Sequence, residues 1–194
     1  MMLRRAGSLG NAAVAISRQL LGSKPDVQSL SVVTVSEFGE LENNDALIES
    51  VVAGRAVSPQ KFAASVHNHI LGQVCINLGL PCRGGASTGC NGSLEIGLIE
   101  ALSELDSAKR VLVLIFEPEI DHHYANWCGG PAPEHMVGVV LNKDAPSSVL
   151  LERKSDYSQG NLTFPRTLEW LSFITRKADT FIGNNGWYWS HVDA

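Results

Sequence analysis

The chain is poor in cysteine: Cys75, Cys82, Cys90 and Cys128 form no CxxC pair and follow no regular spacing. A sequence of 194 residues can bury a sizeable core without a disulfide framework, so reduced thiols and a cytoplasmic setting are expected. Positive charge is short as well, with 15 Lys and Arg against 20 Asp and Glu and a formal net charge of −5. That balance lacks the basic face of a general nucleic-acid binder. No run approaches the roughly 20 apolar residues that span a bilayer. The Ala-rich stretch after Arg4 and Arg5 suggests a secretion signal, but Asn11 and Arg18 interrupt it and Gly7 and Gly10 dilute it. There is neither a tandem repeat nor a linker, so a single domain over residues 1–194 is expected. With 44% hydrophobic and 18% charged residues, the composition is that of an ordered globular protein.

The patterns that are present alternate between helix and strand. Leu9, Ala13, Ile16 and Leu20 fall on one face of an amphipathic first helix. The β-branched run Ser31–Ser36 predicts a buried strand. Asn43, Asn44 and Asp45 offer N-cap chemistry for a helix to Ala53, closed by Gly54. Ser58 and Pro59 open another segment, with Phe62, Val66, Ile70 and Val74 on one face as far as Cys75. Gly79 to Gly89 is expected to be a Gly-rich loop. From Asn91 to Leu105 a strong helix follows, with an apolar stripe of Leu94, Leu98, Ala101, Leu102 and Leu105. The near-continuous apolar run Arg110–Glu117 predicts a strand buried on both faces, and Met136–Leu141 another. Residues 143–165 are expected as a surface loop with an edge strand at Val149 to Leu151. Leu168, Leu171 and Ile174 mark a last helix, and the tail Trp187–Trp189 is expected to dock on the domain. Alternation of this kind argues for an α/β fold.

Cys90 carries the most informative chemistry. A thiol between a small-residue loop, Gly85 to Gly89, and a helix N-terminus has free N–H groups and the helix dipole beside it, which favour the nucleophilic thiolate. Backbone N–H groups there can also hold a carbonyl oxygen as charge develops on it. Gly89 and Gly92 would let an acyl chain approach. A buried cysteine at a tight turn explains the same spacing.

Gly72 to Leu80 followed by Ser87-Thr-Gly-Cys-Asn-Gly-Ser-Leu94 resembles the ketosynthase pattern, in which a Gly-Leu turn leads to a cysteine at the start of the central helix. More closely, Met2–Arg5, Ser36–Leu41, Ser58–Phe62 and Ser65–Asn68 are similar to the motifs of a short β-ketoacyl synthase-like N-terminal domain family. Some of its members are described as chain-length factors beside aryl-polyene ketosynthases. The resemblance runs from about residue 2 to residue 142, with a weaker echo near Trp170 and a C-terminal helix and aromatic tail over 165–194.

What the resemblance implies is a thiolase-like half: an N-terminal ketosynthase domain with a mixed sheet and a buried central helix. It implies Cys90 as candidate nucleophile, or as a relic lining an acyl tunnel, and His69 as a candidate base. Thr88, Gly89, Asn91, Gly92, His67 and Asn68 become candidate substrate-binding residues. It further implies no resident cofactor, acyl groups delivered as phosphopantetheine thioesters on an acyl carrier protein, and a full-length ketosynthase as partner. Homodimerisation through an edge strand is the other assembly it suggests. The departures are equally informative. Nothing after Cys128 resembles the Gly-rich motifs that carry the two histidines of a decarboxylating ketosynthase. Chain-length factors, conversely, usually lack the cysteine.

Two histidine groupings compete with this reading. His67 and His69 flank Asn68, but positions two apart on a helix point to different faces; the resemblance places this segment in a buried, interface-facing region, which implies a structural role for His67. Asp121, His122 and His123, with Cys128 and His135 following and Glu117 nearby, are residue types suited to a metal-dependent hydrolase. Their spacing matches no common zinc signature, and a solvated loop without metal is the expectation.

Overall fold

The computed structural model describes residues 7–22, 25–81, 83–89, 92–128, 130–145, 148–153 and 166–192. Chain order runs α1 (Ser8–Leu21), β1 (Leu30–Val35), α2 (Leu41–Val52), α3 (Pro59–Ala63), α4 (His69–Leu78), β2 (Gly84–Ser87) and α5 (Ser93–Glu104). It continues with β3 (Arg110–Glu117), α6 (Ala125–Cys128), β4 (His135–Asn142), β5 (Ser148–Arg153), α7 (Arg166–Ile174), β6 (Thr180–Ile182) and β7 (Trp187–Val192).

Four strands form a mixed sheet in the order β2-β1-β3-β4. β1 pairs in parallel with β2 and β3, and β4 runs antiparallel to β3. Strand alternation sends successive side chains to opposite faces, and both faces are apolar here. Val32, Leu112, Leu114 and Phe116 meet α1 and α4 on one side. Val33, Val35, Val111, Val113 and Ile115 meet α5, α7 and the second sheet on the other. That second sheet is antiparallel, in the order β5-β7-β6. Its Phe181 and Trp189 pack with Phe173 and Trp170 of α7.

Several sequence expectations are corrected. The Gly79–Gly89 stretch is not all loop, because Gly84–Ser87 pairs with Val32–Val35 as β2. At Gly84 (φ +113°) a Cβ would strike the Val32 carbonyl, so only glycine fits this close backbone approach. The single helical face drawn from Phe62 to Val74 is broken between α3 and α4: Phe62 and Val66 are exposed, whereas Ile70 and Val74 are buried. On α5, Leu94, Leu98, Ala101 and Leu105 are buried but Leu102 is 51% exposed. The last helix forms as α7, with Thr167, Trp170 and Phe173 buried and Leu171 and Ile174 packed against the same core. α2 begins at Leu41, ahead of the expected cap. In α1, Leu20 is 40% exposed while Val14 and Ser17 are buried. β1, β3 and β4 fall where their apolar runs lie, β5 contains the expected edge segment, and Trp189 docks as the tail reading requires. Residues 1–6, Cys82, Cys90, Asn91 and 154–165 lie outside the described residues.

α5 sits directly on β1, since a Cβ at Gly97 would overlap the stiff β-branched side chain of Val35. Gly97→Val should therefore destabilise the fold by about 1–3 kcal/mol through overpacking. The urea midpoint is the readout, and an unchanged midpoint would show that α5 can move off β1 without cost.

Candidate functional site

The C-terminal ends of β1, β2 and β3 lie side by side, where open α/β sheets gather their chemistry. Glu117 ends β3 and is only 4% exposed. Its Oε1 accepts the Glu37 N–H at 2.7 Å, and its Oε2 accepts the Phe38 N–H at 3.0 Å and the Ser36 hydroxyl at 3.1 Å. Ser36 Oγ in turn accepts the Gly39 N–H at 2.7 Å. One buried carboxyl thus fixes the whole turn from β1 into α2.

The β2–α5 junction is tied to the same turn. Ser36 N–H donates to the Ser87 carbonyl at 3.2 Å, and the Thr88 hydroxyl donates to the Glu37 carbonyl at 3.5 Å. Thr88 is exposed, Gly89 half-buried, and Gly92 is the buried N-cap of α5. Ser87 Oγ also donates to the Glu100 carboxylate, which lies over Gly85. These residues flank Cys90 in sequence and form one edge of the candidate site.

The histidine segment approaches that turn at another point. The His67 imidazole lies over Gly39, within 2.7 Å of where a Cβ would stand there. His67 and Asn68 are exposed and His69 is half-buried, so this segment is not buried within the chain. The α3–α4 break turns it outward. Burial lowers the His69 pKa from its ordinary value. His69 lines a cleft of about 1230 Å³ together with Glu40, Leu41, Asp45, Lys61, Pro118 and Tyr124.

Sequence reasoning missed Glu95. It occupies the first turn of α5, is 2% exposed, and its Oε1 accepts the Asn184 N–H at 3.1 Å. Burial raises its pKa, against hydrogen bonds from its own and the Asn184 N–H and the pull of Arg166, while Glu37 pushes it further up. The signal was available, because Glu95 follows Leu94 and lies one turn before Leu98, both members of the apolar stripe. Asp121 Oδ1 accepts the N–H groups of His123 and Tyr124 in a tight turn, with His122 and His123 exposed beside it. Both oxygens of Glu117 are occupied by the β1–α2 turn. Among the described residues no group of three or more His, Cys, Asp or Glu side chains could hold a metal ion. Nor is any helix among them long and apolar enough to cross a membrane.

A mixed sheet with helices on both faces and a Gly-rich strand-to-helix junction beside its central strand defines a thiolase-like α/β protein. The chain belongs to the β-ketoacyl synthase N-terminal domain family, whose model matches residues 1–190. It is similar to a chain in the complex of the ketosynthase ApeO with its chain length factor ApeC from Xenorhabdus doucetiae. That match has 26% identity and a TM-score of 0.77, covering 98% of this chain and 81% of that one. A chain of the ishigamide ketosynthase/chain length factor shares the fold at 22% identity and a TM-score of 0.57. There the match covers 78% of this chain and 50% of the other. No curated protein matches the sequence. The fold is therefore of the ketosynthase and chain-length-factor type.

Burial pushes the Glu117 carboxyl up to about 7 from 4.5, against the downward pull of the Glu37 and Phe38 N–H groups and the Ser36 hydroxyl. Between those two values the folded state holds a proton that the unfolded state has released, so stability falls as pH rises through that window. The chain should melt higher at pH 5 than at pH 7.5, and Glu117→Gln should flatten the difference. An equally steep profile in the variant would assign the slope to other carboxyls.

Proposed function

We propose that this chain is a chain-length-factor-type partner of a ketosynthase in acyl-carrier-dependent synthesis of a fatty acid or polyketide of the aryl-polyene kind. The similarity to a chain of the ApeO–ApeC complex over 98% of this chain carries the reading. Its substrate acyl groups would arrive as phosphopantetheine thioesters on an acyl carrier protein. The candidate contacts are Thr88, Gly89, Asn91 and Gly92 around Cys90, with His67, Asn68 and His69 beyond the Gly39 turn.

The electrostatics of α5 support a shaping role over nucleophilic work at Cys90. A thiolate at a helix start is favoured by a neighbouring cation. The first turn of α5 instead holds the buried carboxyl of Glu95; the cation that acts on it, Arg166, is itself paired with Glu169, and Glu37 adds further negative charge. In either protonation state Glu95 supplies no positive charge to the junction.

Intact-mass analysis after incubation with acyl carrier thioesters, with and without the ketosynthase, tests this directly, with Cys90→Ala as control. The expected result is no acyl adduct on this chain, together with a product length that changes when this chain is omitted from the ketosynthase reaction. A stable adduct lost in Cys90→Ala would instead make the chain an acyl-transferring half-site.

A further inference from the structure

Two buried residues join the β6–β7 turn to the first turn of α5, and each carries an acceptor without a donor. Glu95 is 2% and Asn184 7% exposed, and the Asn184 N–H donates to Glu95 Oε1 at 3.1 Å. Glu95 Oε2 and Asn184 Oδ1 each meet no hydrogen-bond donor among the described residues. The turn sits hard against the carboxyl, since a Cβ at Gly183 would overlap Glu95 Oε1. Buried polar atoms are nearly always paired, because an unpaired one forfeits its bonds to solvent. An ionised carboxylate only accepts and leaves both atoms unmet, whereas a carboxylic acid has one O–H to donate.

The charges around Glu95 do not supply the missing donor. α7 contributes Arg166, whose guanidinium bonds Glu169 and the Ile182 carbonyl. Its Nε is also without a partner, and so is not bonded to Oε2. The turn after β1 contributes Glu37, a like charge. β1 and β2 carry no titratable side chain, and β3 carries Arg110 and Glu117 at its two ends. Glu117 is committed to the Glu37 and Phe38 N–H groups. Burial is the largest influence on Glu95 and favours its neutral form, as Glu37 does, while the N–H bonds and Arg166 oppose it.

We infer that Glu95 and Asn184 form a proton-operated latch, in which the protonated Oε2 of Glu95 donates to the Asn184 side-chain carbonyl and ties the β6–β7 turn to α5. When the proton leaves to solvent, Oε2 and Oδ1 become two buried acceptors facing no donor, and the turn loosens. The latch does not depend on the function proposed above, because it acts between two parts of this chain. It bears on the candidate site because the tethered end is the first turn of α5, next to its buried N-cap Gly92. Burial lifts the folded-state pKa of Glu95 above 4.5, its value without burial. The latch therefore contributes fully below 4.5 and is lost as pH rises through the folded-state value. Low pH closes it and high pH opens it.

Amide hydrogen exchange on the full chain tests this between about pH 4 and pH 8, corrected for the intrinsic exchange rate. The residue-184 amide is read relative to the β3 core amides, which removes the global effect of Glu117, and the NMR shift of the Glu95 carboxyl carbon is followed alongside. Relative protection should fall about tenfold for each unit by which Glu95 titrates above a free glutamate. Glu95→Gln, whose amide donates at every pH, should keep the closed-state protection throughout. Asn184→Ala should lose it already at low pH. A Glu95 carboxyl that titrates at the free value overturns the latch, and that reading needs only the wild-type chain should the variants fail to fold. Protection that is constant with pH, or a Glu95→Gln profile that follows the wild type, overturns it too. Protection in Glu95→Gln below that of the open wild type would show instead that the ionised carboxylate holds the turn through the Asn184 amide, and the latch falls.

Discussion

The carboxyl of Glu117 is the constraint on which the candidate site depends. It lies at the end of β3 but acts on the end of β1, drawing two backbone N–H groups and a hydroxyl to one buried point. Without it, the Glu37 and Phe38 N–H groups would need other partners at the cost of an unsatisfied donor. The turn it fixes is where three elements meet: α2 departs from it, Thr88 of the β2–α5 junction bonds to it, and His67 lies over its Gly39. The geometry around Cys90's flanks is thus set from a residue 27 positions downstream in sequence, through the parallel register of β1 with β3.

The register is itself a packing result. β1 and β3 place one set of apolar side chains against α1 and α4 and the alternate set against α5 and α7. A slip by one residue would exchange the two sets. Gly97 lets α5 close on Val35, and Gly84 lets β2 close on Val32, so both of these close approaches bear on β1. Small residues at these positions bring the helix start and the strand end close enough to form a junction.

What the sequence made legible follows the same logic. β1, β3 and β4 were readable because each is a sustained apolar run, and the α5 stripe because it repeats at helical spacing. β2 was not readable, because Gly84 and Gly85 have the composition of a loop and become strand only through the backbone of β1. The helix α7 was readable from Leu168, Leu171 and Ile174, but its contacts through Trp170 and Phe173 with Phe181 and Trp189 depend on the second sheet folding back on it. At the site, motif resemblance singled out Thr88, Gly89 and Gly92, which lie in the segment leading from β2 into α5. The role of Glu117 depends on a pairing across 79–81 residues, and sequence spacing alone offers no measure of such a contact.

The C-terminal region is integral to this arrangement. Phe173 is fully buried, stacks on His191 at 4.4 Å between ring centroids, and shares a cluster with Val111, Val113 and Ile115 of β3. Arg166 lies over Phe181 at 4.8 Å, pairs with Glu169 at 2.8 Å and donates to the Ile182 carbonyl, which steadies the strand leading to Asn184. Asn184 then donates to Glu95 in the first turn of α5. A continuous path of contacts therefore runs from the aromatic cluster to the helix start beside the candidate site. A sheet that packed only for stability would need its apolar face alone. The buried Asn184–Glu95 hydrogen bond adds a directional contact, fixing where the β6–β7 turn meets the first turn of α5.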